Sequence, residues 1–367
     1  QMHRPVDRHY PRAYGCRHAD QLDLITTPFK TPKKLPRVVA YAQDDWASGF
    51  YRIKSPLNAL AANNHISVHF MSSHAKHPTP SPHEISRLDA DCLVLHGFYS
   101  DQQLTALNQY KKQLQVPIII SLDDLLTALP DYNPMAKQIP TDIGQRIRLA
   151  CQIADKLLVS TTELANHCQH LHDHITVIPN RLTQQLWPLQ ADPQIHQQRL
   201  RVGWAGAGQH QGDLDFLTTV VKQTSQFCDW VFFGDRPNQI NEDSHEFHPP
   251  VNILEYPDKL QELQLDVAVA PLLDNAFNRC KSPLKLLEYG VLGLPVLASN
   301  LSCYQDTPAT LLENKTEPWV KQLNLYHQQR ALLKEHGNQL QQWVHQHFWL
   351  EDHAYDWLSL LDLNQSK

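Results

Sequence analysis

Short apolar runs, each followed by a helical pattern, recur along almost the whole chain, and no other feature restricts the fold as much. Residues 38–42, 65–70, 92–95, 116–122, 156–160 and 175–178 read as six strands. Helical patterns over about 55–64, up to 115, over 141–154 and over 162–170 lie between them. Runs this short and this apolar suit strands buried on both faces, and strands separated by helices pair in parallel. Residues 181–199, with Trp187-Pro188 and Asp192-Pro193, break the alternation and read as a linker. It then restarts, with strands at 200–204, 230–233, 251–254, 266–270 and 295–298 and helices at about 213–225 and 258–265. Beyond 316 the apolar residues keep helical spacing through Trp343, Phe348, Trp357 and Leu360. The expected fold is α/β with two doubly wound parallel sheets. The expected division is an arm at 1–36, a first domain at 37–180, the linker, a second domain at 200–315 and helices at 316–367.

Composition narrows the function. A length of 367 residues allows two cores, and 42% apolar with 19% charged residues is ordinary for a globular protein. The net charge of −6 offers no global attraction for nucleic acid. Residues 1–37 nevertheless carry eight Lys/Arg against three Asp, a net of +5 that leaves −11 for the rest. Such an arm suits peripheral contact with an anionic membrane surface, or is a solvated extension. Seven cysteines without a CxxC pair, no long apolar run and no signal-peptide pattern lead us to expect reduced thiols in the cytoplasm. His167, His170, His172 and His174 alternate through a turn instead of sharing a helix face, so no metal is expected.

The richest stretch is residues 266–300, DVAVAPLLDNAFNRCKSPLKLLEYGVLGLPVLASN, which reads as strand, loop, helix and strand. Ser282-Pro283 predicts a helix start, with serine as the cap and proline at the first helical position. Gly293 and Pro295 stop the helix. Lys281 and Lys285 lie at its positive end, where each cation costs about 0.3–1 kcal/mol, so an anion is expected beside them. Glu288, one turn on, is placed to accept hydrogen bonds from two ribose hydroxyls. A mid-helix Gly290 implies close packing against the backbone. The alternative is an ordinary strand–helix–strand unit with a solvated basic start.

The segment PLLDNAFNRCKSPLKLLEYGVLGLPVLAS resembles the donor-binding segment of the family 4 (group 1) glycosyltransferases. That resemblance implies the GT-B fold, two Rossmann-like domains facing a cleft with the last helices crossing back onto the first. It implies that Glu288 holds the nucleotide ribose and that Lys281, Ser282, Pro283, Leu284 and Lys285 hold the diphosphate. The family's sugar-binding glutamate, eight positions before the ribose one, is replaced by Cys280, with Asp274 the candidate substitute. The resemblance spans about 37–315, is strongest over 266–300, and includes STTELANHC…ITVIPNRL, where Pro179-Asn180 looks like the linker entry.

Open parallel sheets bind ligands at the carboxyl ends of their strands, which selects the remaining loops. After the first strand of the second domain, Gly206 and Gly208 let backbone approach a phosphate, and Asp213 is expected to begin a helix facing it. Gly206, Gly208 and Gly212 give GxGxxxG, a displaced match to the dinucleotide fingerprint. Where the family often has Arg and Lys after this strand, the candidate is His210. Gly234, in Phe233–Arg236, is a candidate to frame the base, or belongs to an ordinary turn. In the first domain, Gly49 and Arg52 follow the first strand as candidates for the sugar phosphate or an acidic acceptor. Asp123 and Asp124 follow the fourth, to bind sugar hydroxyls or orient the acceptor, or simply to cap a helix.

The resulting expectation is a metal-independent, cofactor-free glycosyltransferase. It would move a sugar from a UDP- or GDP-sugar to a glycan, lipid-linked or protein acceptor, with retention, in polysaccharide or glycoconjugate synthesis. Lys281, Lys285 and Asp123 are the candidate catalytic residues. Rivals are a silent nucleotide-sugar-binding subunit, a nicotinamide-dependent oxidoreductase, and a phosphorylase or epimerase of the same fold.

Overall fold

The structure, a computed structural model, describes residues 35–362 except 75–76, 189–192, 194, 197, 208–209 and 242–244. The basic arm (apart from 35–36), Gly208 and much of the linker therefore lie outside the described residues.

Twelve strands form two six-stranded sheets. The first has the order β2-β1-β3-β4-β5-β6, from Arg37–Tyr41 (β1), Ser67–Phe70 (β2), Cys92–His96 (β3), Ile118–Leu122 (β4), Lys156–Val159 (β5) and Ile175–Val177 (β6). The second has the order β12-β11-β10-β7-β8-β9, from Leu200–Ala205 (β7), Cys228–Phe233 (β8), Glu246–His248 (β9), Val267–Ala270 (β10), Val296–Ser299 (β11) and Thr310–Leu312 (β12). Both are parallel, with β7 matched residue by residue to β8, Leu200 to Cys228 through Ala205 to Phe233. All residues of the central strands β3, β4, β10 and β11 are buried, as their unbroken apolar runs require.

Three sequence expectations are corrected. The strand expected at 251–254 is instead β9, which pairs with Val231–Phe233. Pro249 and Pro250 have no N–H for a ladder, and Asn252 turns the chain by accepting from Leu254 N–H (2.9 Å) and Glu255 N–H (3.1 Å). The helix expected over 213–225 is two pieces, Gln211–Leu214 and Leu217–Thr224, and Asp213 does not begin it, since its carboxylate turns inward to other segments. Proline 283 is the N-cap of its helix, not the first helical residue, and the helix proper is Leu284–Val291.

The chain forms two compact units that do not follow chain order. One holds the described residues through Ser121, Leu149–Leu157 and those from Ala354 onward; the other holds Leu122–Arg148 and Leu158–His353. In the first, the helix Ala354–Leu360 packs on the helix Ser55–Ala62, and Lys156 Nζ donates to Leu360 O at 2.8 Å. In the second, Trp204, Trp230, Phe232, Val269, Trp319 and Tyr326 are core residues. The helices Thr316–Gln328 and Ala331–His347 also belong there.

The Leu284–Val291 helix ends as its sequence requires. Gly293 has φ +75°, its N–H donates to Gly290 O (2.8 Å), and Leu294 N–H donates to Tyr289 O (3.2 Å), which is the Schellman arrangement. The close packing implied at Gly290 comes from the Ala331–His347 helix. A β-carbon there would lie 2.7 Å from Leu340 Cγ and 3.0 Å from Val344 Cγ2.

Candidate functional site

The site is built where β7, β8 and β10 end within the second unit. The Leu284–Val291 helix docks onto the end of β7 through Lys285 and Tyr289, four residues apart on one face. Ala205 N–H donates to Tyr289 Oη at 2.8 Å, and Ala205 O accepts from Tyr289 Oη at 3.3 Å and from Lys285 Nζ. The Lys285 ammonium lies over the Trp204 ring, 4.8 Å from its centroid, and 6.0 Å from that of Tyr289. Burial pushes Lys285 down to about 8, with Lys281 adding to the effect and Glu288 opposing it.

Two glycines leave room for this arrangement. A β-carbon at Gly206 would stand 2.7 Å from both Lys285 Nζ and the Trp204 ring. Gly234 has φ +92°, and a β-carbon there would meet Gly206 O at 2.1 Å. Gly206 N–H donates to Phe233 O (2.9 Å) and Gly234 N–H to His248 O (2.8 Å), so both backbones are fixed against neighbouring strands. Gly206, Gly234 and Lys285 therefore converge, although they come from three separate sequence segments.

The helix start is held from outside its own segment. Ser282 Oγ accepts from Leu284 N–H at 3.2 Å and from Asn180 Nδ2 at 3.3 Å. Thr161 Oγ1 donates to Cys280 O at 2.8 Å. Lys281 Nζ is 3.5 Å from Asp124 Oδ1 and 4.4 Å from the centroid of the Phe277 ring. Glu288 is 6% exposed and acts electrostatically on Lys285. Cys280 is fully buried, and burial raises its thiol to about 12, so it stays protonated.

Beside these lies a hub that sequence reading did not find. Asp213, 1% exposed, accepts from Tyr132 Oη (3.0 Å), Asn278 Nδ2 (2.8 Å) and Leu273 N–H (2.9 Å), and faces His210 Nδ1 at 3.1 Å. Tyr132 Oη in turn accepts from Asn275 (3.0 Å) and Asn278 (3.1 Å). The ring packs where a Gly212 side chain would be, a β-carbon there falling 2.3 Å from Tyr132 Cγ. Burial opposes the charge on Asp213, yet its hydrogen bonds outweigh that and hold its carboxyl below the ordinary value. Burial pushes His210 down to about 4, against the pull of Asp213 and with the push of Lys281 and Lys285. Burial thus favours the neutral ring at the candidate position after β7, which leaves Lys281 and Lys285 as the cations there.

The other candidates have other partners or belong to the first unit. Asp274 is exposed and pairs with Arg279 at 3.2 Å. Asp123 O accepts from Ser160 Oγ at 3.1 Å. Gly49 and Arg52 belong to the first unit. The space a Gly49 side chain would need is filled by Asp44 O, 2.1 Å from a β-carbon there, and Arg52 is fully buried. Among the described residues, no three His, Cys, Asp or Glu are grouped to hold a metal ion, and no helix is long and apolar enough to cross a membrane.

No family model matches the chain, and no curated protein matches it. Solved structures do. Sucrose-phosphate synthase from Thermosynechococcus elongatus superposes with a TM-score of 0.62 at 12% identity, over 89% of this chain and 98% of that one. HepE of Anabaena in complex with UDP and glucose gives 0.61 at 12% identity, over 89% and 99%. UDP-GlcNAc 2-epimerase from Neisseria meningitidis, bound to UDP-GlcNAc, gives 0.50 at 13%, over 90% and 100%. At such identities the likeness is one of fold, and the fold of this chain is GT-B: α/β with two six-stranded parallel sheets.

Proposed function

We propose that the chain transfers a sugar from a nucleoside-diphosphate sugar to a hydroxyl of a glycan, lipid-linked or protein acceptor. The observation that carries this reading is the convergence of Lys285 on Gly206 and Gly234 at the ends of β7 and β8, with Lys281 and Ser282 leading into the same helix. A diphosphate there replaces a backbone carbonyl and two aromatic faces as the partner of a buried ammonium. Glu288, buried one turn further on, is the ribose ligand in this reading.

In the reaction, the bond from the sugar's anomeric carbon to the diphosphate oxygen breaks and a bond to the acceptor oxygen forms. The acceptor proton leaves for a basic oxygen, which with retention is one on the departing diphosphate. Lys281 and Lys285 stabilise the charge developing on that leaving group, in place of a metal ion. Asp123 and Asp124 are placed in the acceptor role. UDP-glucose, UDP-GlcNAc and GDP-sugars are the first donors to test, since the fold relatives include complexes of UDP with glucose and of UDP-GlcNAc. The setting is synthesis of cell-surface polysaccharide or glycoconjugate at the cytoplasmic side of a membrane.

A second reading, a subunit that binds nucleotide sugars without turning them over, draws on the inert Cys280 thiol and the neutral His210. Thermal stabilisation by UDP-, GDP-, ADP- and dTDP-sugars, followed by nucleotide release with a panel of acceptors, separates the two. Stabilisation with release supports the transferase, and stabilisation without release in every pairing supports the silent subunit. Stabilisation by none of the four, with quenching of nicotinamide fluorescence on titration, leaves the oxidoreductase.

A further inference from the structure

His210 and Lys285 flank the same indole. The imidazole meets Trp204 edge-on with ring centroids 6.1 Å apart, and the Lys285 ammonium is 4.8 Å from that ring's centroid. Lys281 and Lys285 both act electrostatically on the histidine, so a ligand charge beside them acts on it too. Behind the ring, Nδ1 lies 3.1 Å from the buried Asp213 carboxylate, which the Tyr132 hydroxyl, the Asn278 amide and Leu273 N–H keep ionised. An ionised carboxylate only accepts, so Nδ1 carries the proton of the neutral ring and Nε2 keeps its lone pair. The charges bearing on the imidazole are Asp213, which favours the imidazolium, and Lys281 and Lys285, which oppose it. Tyr132 stays protonated, and Asp124 and Glu288 act at one remove, through Lys281 and Lys285.

We propose that His210 is a cation made by its ligand. It takes a proton from solvent when a sugar-nucleotide diphosphate docks beside Lys281 and Lys285, and the imidazolium, held at Nδ1 by Asp213, donates Nε2–H to a phosphate oxygen. When the diphosphate leaves, the proton returns to solvent. This rests on the nucleotide-sugar reading of the site. In the empty protein the ring is neutral, since burial and two lysines outweigh one carboxylate. One phosphate charge about 5 Å away, at an effective dielectric of about 20, favours protonation by roughly a hundredfold, and a second charge adds to it. That brings a group near 4 up to the mildly acidic range. The site thereby avoids a third fixed cation beside two lysines when empty, and gains one when the anion is bound.

The test is titration calorimetry of the full chain with UDP-glucose, GDP-mannose, ADP-glucose and dTDP-glucose, whose phosphates carry no titratable proton in the range used. Each is run from pH 5.5 to 8 in buffers of different ionisation enthalpy, so that proton exchange is read directly. At pH 6, Lys285, with its value of about 8, is already charged and contributes no uptake. The expected result for the donor that binds is uptake of a substantial fraction of a proton at pH 6, while towards pH 8 uptake by Lys285, with its value of about 8, takes over, and affinity falls at least about threefold between the two. His210→Gln should lose the uptake at pH 6 and keep the Lys285 uptake at pH 8, while Asp213→Asn should move the pH 6 uptake to lower pH. Binding without proton uptake at pH 6 by the wild-type protein overturns the inference and leaves the donor reading intact, whether or not any variant folds. Binding of none of the four donors removes the reading itself, and the inference with it.

Discussion

The ammonium of Lys285 lies 4.8 Å from the centroid of the Trp204 ring while donating to the neighbouring carbonyl of Ala205. A lysine in the first turn of a helix is thus held by π-clouds and a carbonyl, which favour the ammonium. Its proton affinity is depressed because burial outweighs them.

Stability should carry a trace of this. The folded value of Lys285 is about 8, below its ordinary 10.5, so between those values the unfolded chain holds more protons than the folded one. Stability contributed by this group therefore rises with pH across that window. Denaturant unfolding of wild type and Lys285→Met at pH 8, 9 and 10 should show the difference shifting in favour of the wild type at each step. A constant difference would place the ammonium in ordinary solvent.

Gly206 and Gly234 should fail in different ways. At Gly234, φ +92° and contact with Gly206 O leave no place for a methyl group, so Gly234→Ala should cost about 1–3 kcal/mol of folding free energy, read as a lowered Tm. At Gly206 the nearest neighbour is the tip of a long lysine, which can move. Gly206→Ala should weaken donor binding about tenfold or more with a smaller change in Tm.

Lys281→Ala and Glu288→Ala should each lower kcat/KM about ten- to a hundredfold. Glu288→Ala should also lower the Lys285 proton affinity further, because Glu288 is the largest influence raising it. Near-wild-type transfer by both variants would dismiss the assignment.

Tyr132→Phe deletes the hydroxyl that donates to Asp213 and accepts from Asn275 and Asn278. With buried Asp213 and Asn278 and half-buried Asn275 left short, the expected loss is about 1–3 kcal/mol, measured by chemical denaturation. Asp213→Leu, which removes the charge as well, should cost more.

The two sheets were legible because a strand buried on both faces advertises itself with an unbroken apolar run, as Ile118–Leu122 and Val267–Ala270 do. Glu246–His248 has no such run, and its place in the sheet is set by pairing with β8. Local chemistry also marked the Leu284 helix. Gly293 showed where it stops and Gly290 showed that something packs close, though not that Leu340 and Val344 do so from about fifty positions away. Lys281, Ser282 and Lys285 stood out because charge at a helix start is a short-range anomaly. Tyr132, Asn275 and Asn278 did not, and Asp213 stood out only as a helix start. Each is an ordinary polar residue in its own neighbourhood, and the buried hub exists only once the fold brings them together.

The interleaving of the units bears on how this protein can be divided in the laboratory. A fragment starting at Leu200 would keep β7, both glycines and the lysines, yet lose Tyr132, Asp124, Thr161 and Asn180, which brace the turn ahead of Leu284. Asp213 and the Asn275–Asn278 loop would then face water. A module meant to keep the candidate site must carry residues 122–148 and 158–182 with it, so the cut belongs ahead of Leu122 and not in the linker.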